Sequence, residues 1–121
     1  MNRQTRPSQL TGTAIGHDAD MYLVECRTRD GSVVFAERDT ERSSRKDTLA
    51  DIHGGQIENV TRVYAFNTFE GWSRDVSEDF ARDLLAAELS DNSTVGNLNI
   101  GFIEWHLGCA TVATAERELV A

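Results

Sequence analysis

Proline and cysteine are both scarce in this sequence of 121 residues, which contains one Pro and two Cys. Cys26 and Cys109 lie far apart and lack the spacing that metal and redox sites use. We therefore expect both to be reduced, buried, small hydrophobic residues, with a disulfide as the less favoured alternative. With 40% hydrophobic and 26% charged residues, the composition is typical of a globular chain.

Long hydrophobic runs are absent. No window approaches the roughly 18 apolar residues that a membrane-spanning helix needs. The first ten residues, MNRQTRPSQL, also lack the apolar centre of a secretion signal. We expect a cytoplasmic location and no membrane association.

Known catalytic motifs are missing as well. The sequence contains no G-x-S-x-G elbow, phosphate-binding loop, dinucleotide fingerprint or metalloprotease helix. The pair Gly54-Gly55 follows a predicted helix and indicates its end. We predict no cofactor and favour a function without catalysis.

Basic residues are few in the second half of the chain. Residues 1–62 carry nine Lys or Arg and ten acids, whereas residues 63–121 carry three and ten. The net charge of −8 would repel phosphate backbones, which disfavours direct nucleic-acid binding. A short basic run at Arg42, Arg45 and Lys46 keeps that alternative open.

Hydrophobic periodicity divides the chain into a few elements. Residues 1–18 are polar and aperiodic, which predicts a flexible N-terminal arm before a single α+β domain at 19–121. Asp30-Gly31 is typical of a tight hairpin turn between two β-rich runs. The alternation and the helical spacings predict strands at 21–28, 32–38 and 58–66, and helices at 44–53, 76–90, 94–107 and 112–119.

This order predicts a three-stranded antiparallel sheet, ββαβα plus a C-terminal helix, with the helices packed on one face. Strand 1 lies in the centre, in the order 2-1-3. Met21 and Leu23 would then face solvent on the second face of the sheet unless the C-terminal segment or a second subunit covers them. A homodimer is one expectation that follows.

Two aromatic residues lie in the segment "NTFEGWSRD", which we interpret as a loop between strand and helix. Phe69 and Trp72, next to Arg74, have the composition of a protein-binding hot spot. The alternative, which we favour, is that one aromatic folds back over the core as a staple. Of the two, we expect Trp72 to be the more exposed.

Acidic residues are concentrated over that loop and the helix after it. Such a charge run usually serves as a solvated face. A more specific hypothesis is that it imitates a nucleic-acid backbone and occupies the basic groove of a nucleic-acid enzyme. The residues concerned are Glu70, Asp75, Glu78, Asp79, Asp83, Glu88 and Asp91.

The three histidines have structural interpretations that outweigh the chemical ones. His17, Asp18 and Asp20 are metal-ligand types, but no second half of a site follows at a recognisable spacing. His53 fits a helix C-terminus, where the dipole favours positive charge. Glu104 and His106 could be drawn as an acid–base pair, but residues this close along a helix do not face each other. Catalysis by this pair would need a third group, which the sequence does not identify.

We therefore expect a small, acidic, non-enzymatic interaction or regulatory protein with a protein partner. One alternative is a ligand-binding or catalytic domain with a pocket between sheet and helices, using His17, Glu104 or His106. Another is a structural subunit of a larger assembly. The predicted partner-binding residues are Phe69, Trp72, Arg74, Asp75, Glu78, Asp79 and Asp83.

Overall fold

The computed structural model describes residues 20–91 and 97–120, so the predicted N-terminal arm lies outside the described residues. A short 3-10 helix at Thr40–Arg42 precedes the first α-helix. The strands are β1 (Met21–Arg27), β2 (Val33–Phe35), β3 (Val60–Asn67) and β4 (Trp72–Asp75). The helices are α1 (Arg45–His53), α2 (Ser77–Asp91), α3 (Asn97–Leu107) and α4 (Cys109–Val120).

The β1–β2 hairpin forms where the turn residues predict it. Gly31 adopts a positive φ of 92° and closes the turn. The Asp30 carboxylate accepts hydrogen bonds from the Thr28 hydroxyl and the Ser32 backbone N–H. These bonds stabilise the ionised form and lower the pKa of Asp30 to about 2. The predicted hairpin is confirmed.

The sheet has four antiparallel strands in the order β2-β1-β3-β4, not the three that the sequence predicts. The central position of β1 and its pairing with both neighbours are confirmed. The missing strand, β4, pairs with the end of β3, where Asn67 lies opposite Trp72 and Tyr64 opposite Asp75. It escaped prediction because four residues are too few to show an alternating pattern.

A β-bulge shifts the register between β1 and β3. Glu25 pairs with Arg62 while Cys26 pairs with Val60, so Thr61 is the extra residue. Val60 consequently lies in the core and not on the face of Arg62, where simple alternation places it. Thr61 reaches back across the pair, and its hydroxyl donates to the Glu25 backbone carbonyl at 3.1 Å.

Local signals account for the helix ends. Ser44 is the N-cap of α1, and its hydroxyl accepts the Asp47 N–H, as the sequence predicts. Asp75 accepts the Ser77 N–H at 2.8 Å and caps the start of α2. Gly108, with φ of 94°, separates α3 from α4. The two C-terminal helices are therefore confirmed, with a shorter link between them than predicted.

The hydrophobic core lies on one side of the sheet and contains residues from all four helices. Phe80 and Leu84 of α2 are fully buried against Val24 and Val63 of the sheet. The remaining buried apolar residues of this cluster are Ile52, Ile57, Val60, Ala81, Leu85, Phe102, Ile103 and Val112. The prediction that helices pack on one face agrees with this core.

A buried ion network fastens α1 to the segment after β2. Asp51 accepts hydrogen bonds from Arg38 at 3.0 Å and from Arg42 Nε at 3.1 Å. Arg38 also donates to the Thr48 hydroxyl at 2.9 Å. The hydrogen bond from Arg42, against the opposing effect of burial, lowers the pKa of Asp51.

Among the described helices, none is both long and apolar enough to cross a lipid bilayer.

Candidate functional site

One face of the sheet carries five large apolar side chains, which we call the open face: Met21, Leu23, Phe35, Tyr64 and Phe66. The strand register places Leu23 beside Tyr64 and Met21 beside Phe66, on the side away from the core. Leu23 and Phe35 are 39% and 53% exposed. No helix within residues 20–91 and 97–120 packs on this face, so part of its apolar area is open to solvent.

The aromatic rings make the open face continuous across the sheet. Phe35 on the edge strand β2 contacts Tyr64 on β3, with centroids 6.2 Å apart and an edge-to-face angle of 69°. Their contact crosses over β1, which lies between them. The apolar surface therefore extends over three strands.

A polar cluster borders the open face on β3. The Arg62 guanidinium lies 3.5 Å from the Asp75 carboxylate and 3.9 Å from that of Glu25. Glu25 also accepts hydrogen bonds from the hydroxyls of Thr61 at 2.7 Å and Tyr64 at 3.3 Å. Burial and the charge of Glu25 raise the pKa of Tyr64, which stays a neutral hydrogen-bond donor. The border carries two acids and one base.

The segment from Asn67 to Asp75 is a β-hairpin and not the predicted loop between strand and helix. Gly71, with φ of 80°, reverses the chain, and the Asn67 side chain accepts the Glu70 N–H at 2.8 Å. Phe69 at the turn is 69% exposed, while Trp72 is half-buried. The prediction that Trp72 is the more exposed aromatic is therefore wrong, because the turn projects Phe69 and returns Trp72 to the sheet.

Internal contacts occupy Trp72 on the edge strand. Its indole N–H donates to the Glu70 carboxylate at 2.7 Å. The Arg74 guanidinium covers the ring, 4.7 Å from its centroid. Trp72 and Arg74 thus stabilise the hairpin, and neither takes part in the buried core cluster.

The predicted acidic face is divided by pairing with arginine. Arg82 binds Glu78 at 2.7 Å and Asp79 at 3.3 Å. Arg45 of α1 binds Asp83 at 2.6 Å. These pairs are exposed and strengthen the fold only slightly, but they neutralise part of the negative charge at the start of α2.

Two further acids of that set face His53. Glu88 is only 6% exposed, so it is not one of the acids that can share a solvated face. The His53 ring lies between two carboxylates, with Nδ1 at 3.0 Å from Glu88 and Nε2 at 2.8 Å from Asp91. Asn99 also donates to Glu88, at 3.2 Å. The helical spacing of α2 carries a signal for this burial, because Glu88 continues the stripe of Leu84 and Leu85 into the interface between helices.

The other candidate residues take structural positions. His106 contacts the Thr61 carbonyl through Nε2 at 2.8 Å and holds α3 against β3. Asp20 accepts a hydrogen bond from the Asn67 side chain at 3.2 Å. His17 and Asp18 lie outside the described residues. In the described part of the chain, no group of three or more His, Cys, Asp or Glu is arranged to hold a metal ion.

The two cysteines are free thiols in different environments. Cys26 is half-buried beside the core, and burial followed by the charge of Glu25 raises its pKa. Cys109 begins α4 and is exposed, so the prediction of a buried residue is wrong there. Gly108 precedes it, and the chain reversal at this glycine places the first turn of α4 at the surface.

A pocket lies between the end of β1, the bulge of β3 and the side of α3. Its volume is about 580 Å³, within the range that small-molecule sites occupy. Its polar lining includes Arg27, Arg29 and Asn59, and its apolar lining includes Phe102 and Trp105. The sequence predicted a pocket between sheet and helices only as an alternative and did not identify these residues, which are distant along the chain.

Together, residues 20–91 and 97–120 form an α+β fold with an open antiparallel sheet and four helices, none of which covers the apolar second face. No known protein family, curated protein or solved structure matches the chain.

Proposed function

We propose that this protein is a non-enzymatic interaction protein, which binds a basic protein partner on the open face of its sheet. The observation that carries the proposal is the row of five apolar side chains with no described helix over it. A folded protein gains stability by burying such a surface, at about 25 cal/mol for each Å² of apolar area. Leu23 and Phe35, the most exposed of the five, would supply the central contacts.

Charge favours a basic partner over a second copy of the chain. Each copy carries a net charge of −8, so two copies repel each other, whereas a basic protein is attracted at long range. The border of the open face contributes Glu25 and Asp75 to this field. The partner would present apolar side chains flanked by Lys or Arg.

The more specific hypothesis of an inhibitor that imitates nucleic acid has weaker support. Such imitation needs an uninterrupted row of unpaired carboxylates. Here Arg82 and Arg45 pair with Glu78, Asp79 and Asp83 and offset two of their three negative charges, and Glu88 is buried. The net negative charge would still attract a basic partner, but we place the contact surface on the sheet and not on α2.

A structural subunit of a larger assembly would use the same face. The exposed edge strand β2, with Val33, Val34 and Phe35 all open to solvent, favours this second candidate. The two functions predict complexes of different lifetime: a regulatory protein dissociates from its partner and rebinds, whereas an assembly subunit stays bound. The dissociation rate of the purified complex distinguishes them.

The experiment compares the full chain with two variants in affinity capture from the source cells. The open-face variant combines Leu23→Ser with Phe35→Ser, and the matched control is Phe69→Ser on the exposed hairpin turn. Light scattering first establishes the oligomeric state of each protein, and circular dichroism its folding. Captured proteins are identified, purified and titrated directly against all three chains at low and high salt.

The proposal expects a basic partner that binds the wild type and Phe69→Ser alike, loses affinity at least about tenfold for the open-face variant, and weakens with salt. A dimer that becomes monomeric in the open-face variant would assign the face to self-association and overturn the proposal. Loss of the partner only with Phe69→Ser would move the surface to the hairpin. Equal affinity of the partner for the wild type and for both variants would also reject the proposal.

A further inference from the structure

The pocket beside α3 combines basic and apolar residues, and we call it the arginine pocket: Arg27, Arg29, Asn59, Ile100, Phe102 and Trp105. It lies at the end of β1, beside the bulge of β3 and the side of α3. Its lining includes two arginine residues and an apolar wall. Sites for small ligands commonly combine an apolar body with a few convergent polar groups.

The charge of the arginine pocket is opposite to that of the protein. Acids outnumber basic residues by 20 to 12 in the sequence, yet no acidic side chain lines this cavity. Arg27 is steadied by a hydrogen bond to the Gly31 carbonyl at 3.1 Å. Arg29 makes no hydrogen bond or ion pair within the described ranges, 20–91 and 97–120. Its planar fork of donors therefore remains available for a carboxylate or phosphate.

The apolar wall of the pocket is held in position by its neighbours. Trp105 is 54% exposed although it is one of the largest side chains. Its ring stacks on His106 at 4.8 Å, and the Arg62 guanidinium lies 5.1 Å from its centroid. These contacts limit the movement of the indole, so little side-chain entropy would be lost when a planar ligand packs against its exposed part.

The backbone at the pocket is also unusual. Asn59 is the non-glycine residue with a positive φ, 58°, among those described. Its carbonyl accepts the Arg27 N–H at 3.0 Å, which joins the two walls. Left-handed residues and β-bulges are concentrated near functional sites, where they aim side chains that regular strands would not.

We propose that the arginine pocket binds a small organic anion with a planar ring, whose carboxylate or phosphate pairs with Arg27 and Arg29 while the ring packs against Trp105. The arginine pocket shares no lining residue with the open face, and the proposal does not depend on the protein partner. The overall charge of −8 opposes anion binding, so the local pair of arginines must supply the attraction.

Four probes separate the contributions of charge and ring. Adenosine 5′-monophosphate tests a phosphate on a ring, and phenylacetate tests a carboxylate on a ring. Adenosine is the uncharged control, and inorganic phosphate is the control without a ring. Because the chain has two tryptophans, Trp72→Phe leaves Trp105 as the only one, and its fluorescence reports binding. Calorimetry on the wild type checks each affinity independently.

The proposal expects one ring anion to bind at least about tenfold more tightly than adenosine and inorganic phosphate, since both contacts are needed. Arg29→Gln should weaken that binding about tenfold or more, because it removes a charge-assisted bond. Arg117→Gln on exposed α4 is the matched control and should change nothing. The open-face variant should also bind normally, which keeps this test independent of the partner proposal.

Three results would overturn the site. One is the absence of saturation by either ring anion up to millimolar concentration. Another is equal weakening by Arg29→Gln and Arg117→Gln, which would mean general charge attraction only. The third is tight binding of adenosine that ignores Arg29, which would leave an apolar site without anion recognition. Arg29 is exposed, so its substitution should not disturb folding.

Discussion

His53 and Glu88 join α1 to α2 through a 3.0 Å contact between the imidazole Nδ1 and the carboxylate. The second ring nitrogen lies 2.8 Å from Asp91. A neutral imidazole has only one N–H and cannot donate to both carboxylates, whereas the protonated ring can. The arrangement is therefore complete only when His53 carries a positive charge.

The first prediction concerns stability and pH. The hydrogen bond to Asp91, and then that to Glu88, raise the pKa of His53 against the opposing effect of burial. A raised folded-state pKa gives stability that is fully present below the unfolded value of about 6.5 and is lost as pH rises through the folded value. Urea unfolding of the wild type and His53→Gln at about pH 5.5 and 8 measures this. The free-energy difference between them should shrink at the higher pH; a constant difference would show that His53 does not titrate here.

The second prediction contrasts a buried ion pair with an exposed one. Asp51 is 11% exposed in its side chain and pairs with Arg38, which is 8% exposed. Asp51→Ala leaves that arginine buried without its partner and should cost about 3 kcal/mol of unfolding free energy. Asp83→Ala breaks the exposed pair with Arg45 and should cost less than about 1 kcal/mol. Equal losses in denaturant titrations would contradict the assigned burial.

The third prediction uses two glycines with opposite requirements. Gly71 has a φ of 80°, so Gly71→Ala should lose about 1 kcal/mol through backbone strain. Gly101 lies inside α3 with nothing within 4 Å of an added Cβ. Gly101→Ala should therefore gain up to about 1 kcal/mol by improving helix propensity. Thermal unfolding should show shifts of opposite sign; a gain at Gly71 would argue against the hairpin turn.

The fourth prediction separates the two thiols. Cys26 is half-buried and its pKa is raised, so little thiolate is present at neutral pH. Cys109 is exposed on α4. A disulfide reagent should react with Cys109 first, and Cys109→Ser should abolish the fast phase while Cys26→Ser preserves it. A fast phase that survives Cys109→Ser would place Cys26 at the surface.

Local chemistry explains why much of the fold could be predicted from the sequence. Asp30-Gly31 specifies the first hairpin, and the Ser44 hydroxyl caps the helix that it was expected to cap. These signals act between residues close in the chain, so no tertiary information is needed. The same holds for the position of Met21 and Leu23 on the second face, which follows from alternation along β1.

The candidate sites were harder to predict because distant residues compose them. The clamp around His53 needs α1 and α2 side by side, and no spacing relates residues 35 and 38 positions apart. The arginine pocket likewise joins Arg27 to Trp105 across most of the domain. Only the packing of helices and strands brings such distant side chains together.

Sequence alone determined the α+β class, the central place of β1 and the acidic character of the chain, because composition and periodicity are properties of neighbouring residues. Tertiary structure decided the fourth strand, the bulge at Thr61 and the burial of Glu88. It also decided which surfaces stayed open. The described helices pack on only one side of the sheet, so the row from Phe35 to Tyr64 has no helix over it within residues 20–91 and 97–120.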